Sequence, residues 1–179
     1  MSASTKSKQQ LLKLVYAAVC LALCLVLPFL TGQIPQIGNM LCPMHLPVLL
    51  AGFICGPWWA LLVGLIAPLL RHLLFSMPPL LTAIAMCFEL AGYGLVSGLL
   101  YAKLPKKTVN IYLSLISAMV CGRIIWGIVR VIMTGVASEA FTWAAFMAGA
   151  VTNAIPGIIL QIILIPVLVM ALKKVNVIK

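Results

Sequence analysis

Residues 43–79 read PMHLPVLLAGFICGPWWALLVGLIAPLLRHLLFSMPP. Two apolar runs, Leu46–Cys55 and Trp58–Leu70, flank a Gly56-Pro57 turn. Polar and cationic groups, namely His45, Arg71 and His72, stand only at the two far ends. A hairpin brings those ends to one side. Laid in a bilayer, such a hairpin has one polar rim and one apolar rim, so the stretch points to a membrane protein with a polar mouth on one side.

The whole chain has the matching composition. Of its 179 residues, 64% are hydrophobic and 8% charged, against roughly 25% charged in a soluble domain. A water-facing surface cannot be built from so few charges. The length admits about six spans of ~20 residues with short loops. The expected fold is therefore an all-α integral membrane protein with six transmembrane helices, a single domain over residues 1–179. The net charge is +10, but no basic stretch alternates with aromatics, so no nucleic-acid partner is expected. Asp is absent, and Glu occurs only as Glu89 and Glu139. The six cysteines form no C-x-x-C and no Cys/His cluster with ligand spacing. They read as small apolar residues inside spans, and no metal or cofactor is expected. The run Leu14–Leu30 follows a basic start as a signal peptide would. It is long enough to span, and no small-x-small site closes it.

In chain order, residues 1–10 are polar and expected to be loose. The first span covers about Leu11–Leu30. Its Ala18 and Ala22 are four apart, as are Cys20 and Cys24, and small-xxx-small faces let another helix approach closely in lipid. Residues 31–44 form an irregular Gly/Pro/Asn/Gln loop, of a length often found in lids. The second span is expected at about Leu41–Cys55 and the third from Trp58 to about Leu74, with a kink at Pro68. The fourth covers about Leu80–Tyr101 and the fifth about Ile111–Met133. The sixth, about Trp143–Leu172, is long enough to tilt or to bend at Pro156-Gly157. A basic tail, residues 173–179, follows. An even number of spans puts both termini on one side. Nine of the twelve cations, including every Lys, fall in the N-terminus, the loop at 103–107 and the tail. The positive-inside rule makes that side cytoplasmic.

Six spans place the remaining ionisable groups and Asn153 in the outer half, and Gln161 in the cytoplasmic half as a helix–helix hydrogen bonder. Glu89 lies ~13 Å deep on the fourth span. Arg130 is near the outer end of the fifth, with Arg123 ~10 Å further in on the same face. Asn153 lies on the sixth. His45, Arg71, His72 and Asn39 belong to the rim or lid. Each ionised residue near a span centre costs about 2.5–3.5 kcal/mol to insert. A Glu89–Arg123 or Glu89–Arg130 ion pair would offset part of that and pin two spans together. Either pairing leaves a second Arg without a carboxylate, and its planar donor fork suits an anionic ligand group. Trp126 and Tyr93 can stack on such a ligand or simply pack. No G-x-S-x-G, H-E-x-x-H or paired Asp is present, which argues against an enzyme. No phosphate loop is present either, so the chain cannot hydrolyse ATP itself. The polar positions stop near the midplane, which suits a binder with a closed floor rather than a pore.

The segment PMHLPVLLAGFICG (Pro43–Gly56), then Pro57 and Leu69-Leu70-Arg71-His72-Leu73-Leu74, resembles the S components of energy-coupling factor (ECF) transporters. These are six-helix, vitamin-binding subunits of prokaryotic cell membranes. The resemblance implies that Ala18 and Ala22 form the A-x-x-x-A face that docks on a transmembrane coupling subunit driven by two ATPases. It also implies a ligand in the outer half, under the first and third loops and between spans four to six. The substrate-binding residues are then expected among Glu89, Arg123, Arg130, Asn153, Trp126 and Tyr93. Riboflavin-binding members usually carry Asp where this chain has His45. Pantothenate-type members share a similar H-I/L-P, here His45-Leu46-Pro47, so pantothenate is the leading ligand, with other small vitamins or precursors open. The rival reading is a stand-alone permease or a membrane assembly protein whose Arg–Glu pairs are structural.

Overall fold

A computed structural model describes residues 3–31, 34–137, 142–150 and 152–178, and is helical almost throughout them. Helix α1 (Ala3–Val26) begins well before the expected span. Residues 1–10 are thus helical from Ala3 onward rather than loose, because Lys and Gln are good helix formers and no Gly or Pro interrupts them. Pro28 ends the regular path, and the chain tightens into a 3-10 turn at Leu27–Thr31.

The irregular loop expected at 31–44 contains a helix of its own, α2 (Pro35–Leu41). Pro35 opens it, where a missing N–H costs nothing. Cys42 closes it in the left-handed region (φ 48), its N–H bonded to the Gly38 carbonyl. That turn is why α3 (His45–Cys55) starts four residues later than the expected second span. Eleven residues reach only about 17 Å, too short to cross a ~30 Å hydrocarbon core alone. The start of α3 is therefore recessed inside the bundle, with α2 above it.

Gly56 (φ 91, ψ 177) makes the turn into α4 (Pro57–Phe75), a conformation other residues avoid. Helix α5 (Leu80–Lys103) is the central element and packs on α3, α4 and α6 (Thr108–Ala137). Its buried face is rich in Ala, Gly and Ser. A Cβ on Gly64 would lie 2.5 Å from the Leu90 backbone, and one on Gly94 2.5 Å from the Ala60 carbonyl oxygen. Helices α4 and α5 thus meet backbone to backbone, the close dispersion packing that holds helices together in lipid.

The expected sixth span is broken, and earlier than expected. Helix α7 (Trp143–Ala150) stops, a 3-10 turn covers Thr152–Ala154, and α8 (Ile155–Lys174) begins afresh. Pro156 stands in the first turn of α8, where it starts a helix instead of bending one. Five helical stretches are long and apolar enough to cross a membrane: Ser7–Leu30, Pro57–Phe75, Leu80–Lys103, Thr108–Thr134 and Phe146–Lys174. Helix α3 is the shorter sixth apolar element.

The basic segments gather at one end. The Lys173 ammonium donates to the Lys106 carbonyl at 2.9 Å, and Lys106 stands 3.7 Å over the Tyr101 ring centroid. Burial, and then the nearby Lys173, hold the Lys106 ammonium below the usual lysine range. Gly98 packs against Pro57, so the Gly56-Pro57 turn lies at this same end, with Lys13 beside it. The chain turns back after α8, and Ile178 is buried in the core.

Candidate ligand cavity

At the opposite end of the bundle lies a cavity of about 380 Å³. Its walls come from the α2–α3 segment (Cys42 to His45), the loop Met77–Pro79, and the parts of α5, α6 and α7 remote from the lysines. Volumes of a few hundred Å³ are those of small-molecule sites.

Its floor is built around Glu89. The carboxylate is 1% exposed, and Oε1 accepts from Arg123 Nη1 at 2.8 Å and lies 3.3 Å from His45 Nε2. Tyr93, one turn further along α5, is buried on the same side of the helix. The Tyr93 ring also meets His45 edge-on at 5.1 Å. Gly122 makes room for it, since a Cβ there would stand 2.3 Å from the ring. Of the two pairings open to Glu89, the structure holds the one with Arg123. Three helices, α3, α5 and α6, are tied through one carboxyl group. Arg123 reaches further, with Nη2 3.5 Å from Cys42 Sγ, and so links α6 to the end of α2. Two buried nitrogens of this network, Arg123 Nε and His45 Nδ1, have no hydrogen-bond partner among the described residues. Buried polar atoms are rarely left so, and each is a donor or acceptor that water or a ligand can meet.

Arg123, Trp126 and Arg130 all line the cavity. Their spacing of three and four residues puts them in one stripe on α6. The Trp126 indole lies over Gly149, where a Cβ would be 2.6 Å from the ring, and stands 6.2 Å from Phe146. Asn153 is exposed at the mouth, in the turn between α7 and α8.

The other expected residues have different places. Tyr93 is buried beneath the floor rather than lining the cavity, because its ring packs against His45 and over Gly122. Arg71 lines the edge, but its guanidinium bonds the Leu25 carbonyl and stands over Phe29 and Phe75, at 4.9 and 5.3 Å. It thereby joins the end of α1 to α4. His72 does not line the cavity; its Nδ1 lies 2.8 Å from the Pro78 carbonyl and braces the Met77–Pro79 loop. The side chain of Asn39 and the whole of Glu139 lie outside the described residues. Ala18 and Ala22 are exposed on α1, whereas Cys20 and Cys24 face the core.

Sequence reasoning missed Cys42, Met77, Thr82, Met86 and Gly149 in the lining. Thr82, Met86 and Glu89 share one helical face by spacing, so that stripe was readable. Thr and Met carry no charge, so nothing but that spacing sets them apart from packing residues. Among the described residues no group of His, Cys, Asp and Glu could hold a metal ion.

Residues 12–169 match the family described as ECF transporter, substrate-specific component. No curated protein and no solved structure shows significant similarity to the chain.

Proposed function

Because this chain belongs to the substrate-specific components of ECF transporters, we propose that its cavity captures a small, water-soluble, acidic vitamin or precursor from outside the cell. Pantothenate is the leading candidate. The observation that carries this reading is the charge of the lining: among the described residues that form it, three are arginines, Arg71, Arg123 and Arg130, and one is a carboxylate, Glu89. Glu89 neutralises Arg123 at 2.8 Å. Arg130, further out on the same stripe, is the group we assign to the ligand's acid, with Trp126 beside it as an apolar platform. Asn153 adds an amide at the mouth. Glu89, Arg123 and His45 form the polar floor beneath.

We assign the lysine-rich end, with both termini, to the cytoplasm, and the cavity to the outer face. Loading then proceeds from outside, past α2. The exposed Ala18–Ala22 face of α1 is the surface on which a transmembrane coupling subunit, driven by two ATPases, would seat. The energy for import comes from that module.

Mass spectrometry of small molecules retained by the purified protein tests the ligand class, followed by titration with pantothenate and with a neutral vitamin. Tight binding of an acid alone is the expected result. Tight binding of a neutral vitamin alone would overturn the acidic assignment. Absence of any retained ligand, together with lost stability but no binding change in Arg123→Ala, would favour the stand-alone scaffold with a structural ion pair, to which the Glu89–Arg123 contact also conforms.

A further inference from the structure

A second concavity lies at the basic end, between α1 and α4. The two helices converge at the outer end, where Arg71 bonds the Leu25 carbonyl and the Phe29 and Phe75 rings meet at 4.9 Å. At the basic end they are separated by a crevice. Gln10 and Lys13 line it from α1, and Trp58, Trp59 and Leu62 from α4. The result is a wedge with a cation and two indoles at its mouth. Below the mouth, Leu62 and Ile66 continue from Trp58 as an exposed apolar stripe on α4.

We infer that this crevice is a binding site for one anionic phospholipid of the cytoplasmic leaflet. Its charge is complementary to a lipid phosphate. Lys13 supplies an ammonium at the mouth, and no acidic residue lines the crevice. Helix α4 begins there at Pro57 without a side-chain cap. The Trp58 and Trp59 N–H groups therefore lack intrahelical partners and add the positive end of the helix dipole. Trp58 is 70% exposed, the placement of an interfacial indole at headgroup level. An acyl chain laid on Leu62 and Ile66 runs along the bilayer normal, as the wedge requires. Basic pockets between spans on the cytoplasmic side take anionic headgroups by this chemistry.

Native mass spectrometry of the full chain, released from vesicles of equal phosphatidylglycerol and phosphatidylcholine, tests the site. The expected result is one retained phosphatidylglycerol, favoured over phosphatidylcholine. Lys13→Gln should lower that preference about fivefold, and Lys13→Arg should keep it. Leu62→Trp, which fills the crevice, should expel the lipid whatever its headgroup. Equal retention of the two lipids by the unaltered protein would overturn the inference, as would an undiminished preference in Lys13→Gln. If Leu62→Trp instead weakens association with the energising subunits at unchanged lipid retention, the crevice belongs to a protein partner and the lipid site is refuted. Ligand binding in the outer cavity is measured separately and is unaffected by any of the three variants.

Discussion

Glu89 receives Arg123 and His45 from two other helices while almost wholly removed from solvent. A buried charge pair of this kind contributes little net stability when whole, but breaking it leaves a charge stranded in an apolar medium. Glu89→Gln keeps the shape and removes the carboxylate. It should lower the unfolding free energy in detergent by about 3 kcal/mol, seen as a fall in the thermal midpoint. Arg130 belongs to a different account. If it meets the ligand's acid, Arg130→Ala should weaken binding about 10–100-fold, the worth of a charge-assisted hydrogen bond. Arg130→Lys should restore only part of it, because an ammonium lacks the planar fork. Calorimetric titration checks both. Unchanged affinity in Arg130→Ala would remove Arg130 from the site.

At the scale of elements, α2 is held over the cavity by the start of α8. A Cβ on Gly157 would lie 2.7 Å from the Met40 carbonyl oxygen and 2.8 Å from that of Leu41. Gly157→Val therefore has to lift α2, since the atoms it meets are backbone. Overpacking of this kind costs about 1–3 kcal/mol. The expected outcome is ligand release about tenfold faster, measured by stopped-flow fluorescence, with the helical content unchanged by circular dichroism. A release rate equal to that of the unaltered protein would show that α2 does not cover the ligand. The short α3 serves the same region: a full-length span would carry His45 out to the surface, away from Glu89.

For the whole molecule, the basic end and the cavity lie at opposite ends of the bundle, and the exposed small-residue face of α1 runs along its side. The double variant Ala18→Trp/Ala22→Trp should abolish co-purification with the energising subunits while leaving ligand affinity intact, because those side chains are remote from the cavity lining. Retained co-purification and uptake would place the docking surface elsewhere.

Much of this was legible in the residues themselves. Hydropathy and length are local quantities, and they gave the crossing elements, the Gly56-Pro57 turn and the gathering of the basic segments among the described residues at one end. The stripe Arg123–Trp126–Arg130 follows from helical spacing alone. Other features depended on how the helices sit against one another. Spacing allowed Glu89 to pair with Arg123 or Arg130, and only the rotation and depth of α5 against α6 selected Arg123. Nothing in composition marks Cys42 as a left-handed stop, so the recessed start of α3 was hidden. The sixth crossing offered a bend at Pro156-Gly157, whereas the break falls at Thr152–Ala154 and puts Pro156 at a helix start. Arg71 read as a rim group until the Leu25 carbonyl and two Phe rings were seen to engage it. Local chemistry thus determined which residues enter the membrane and which end is basic. The tertiary structure decided which polar groups satisfy one another, because that depends on distances of a few ångströms between segments far apart in the chain.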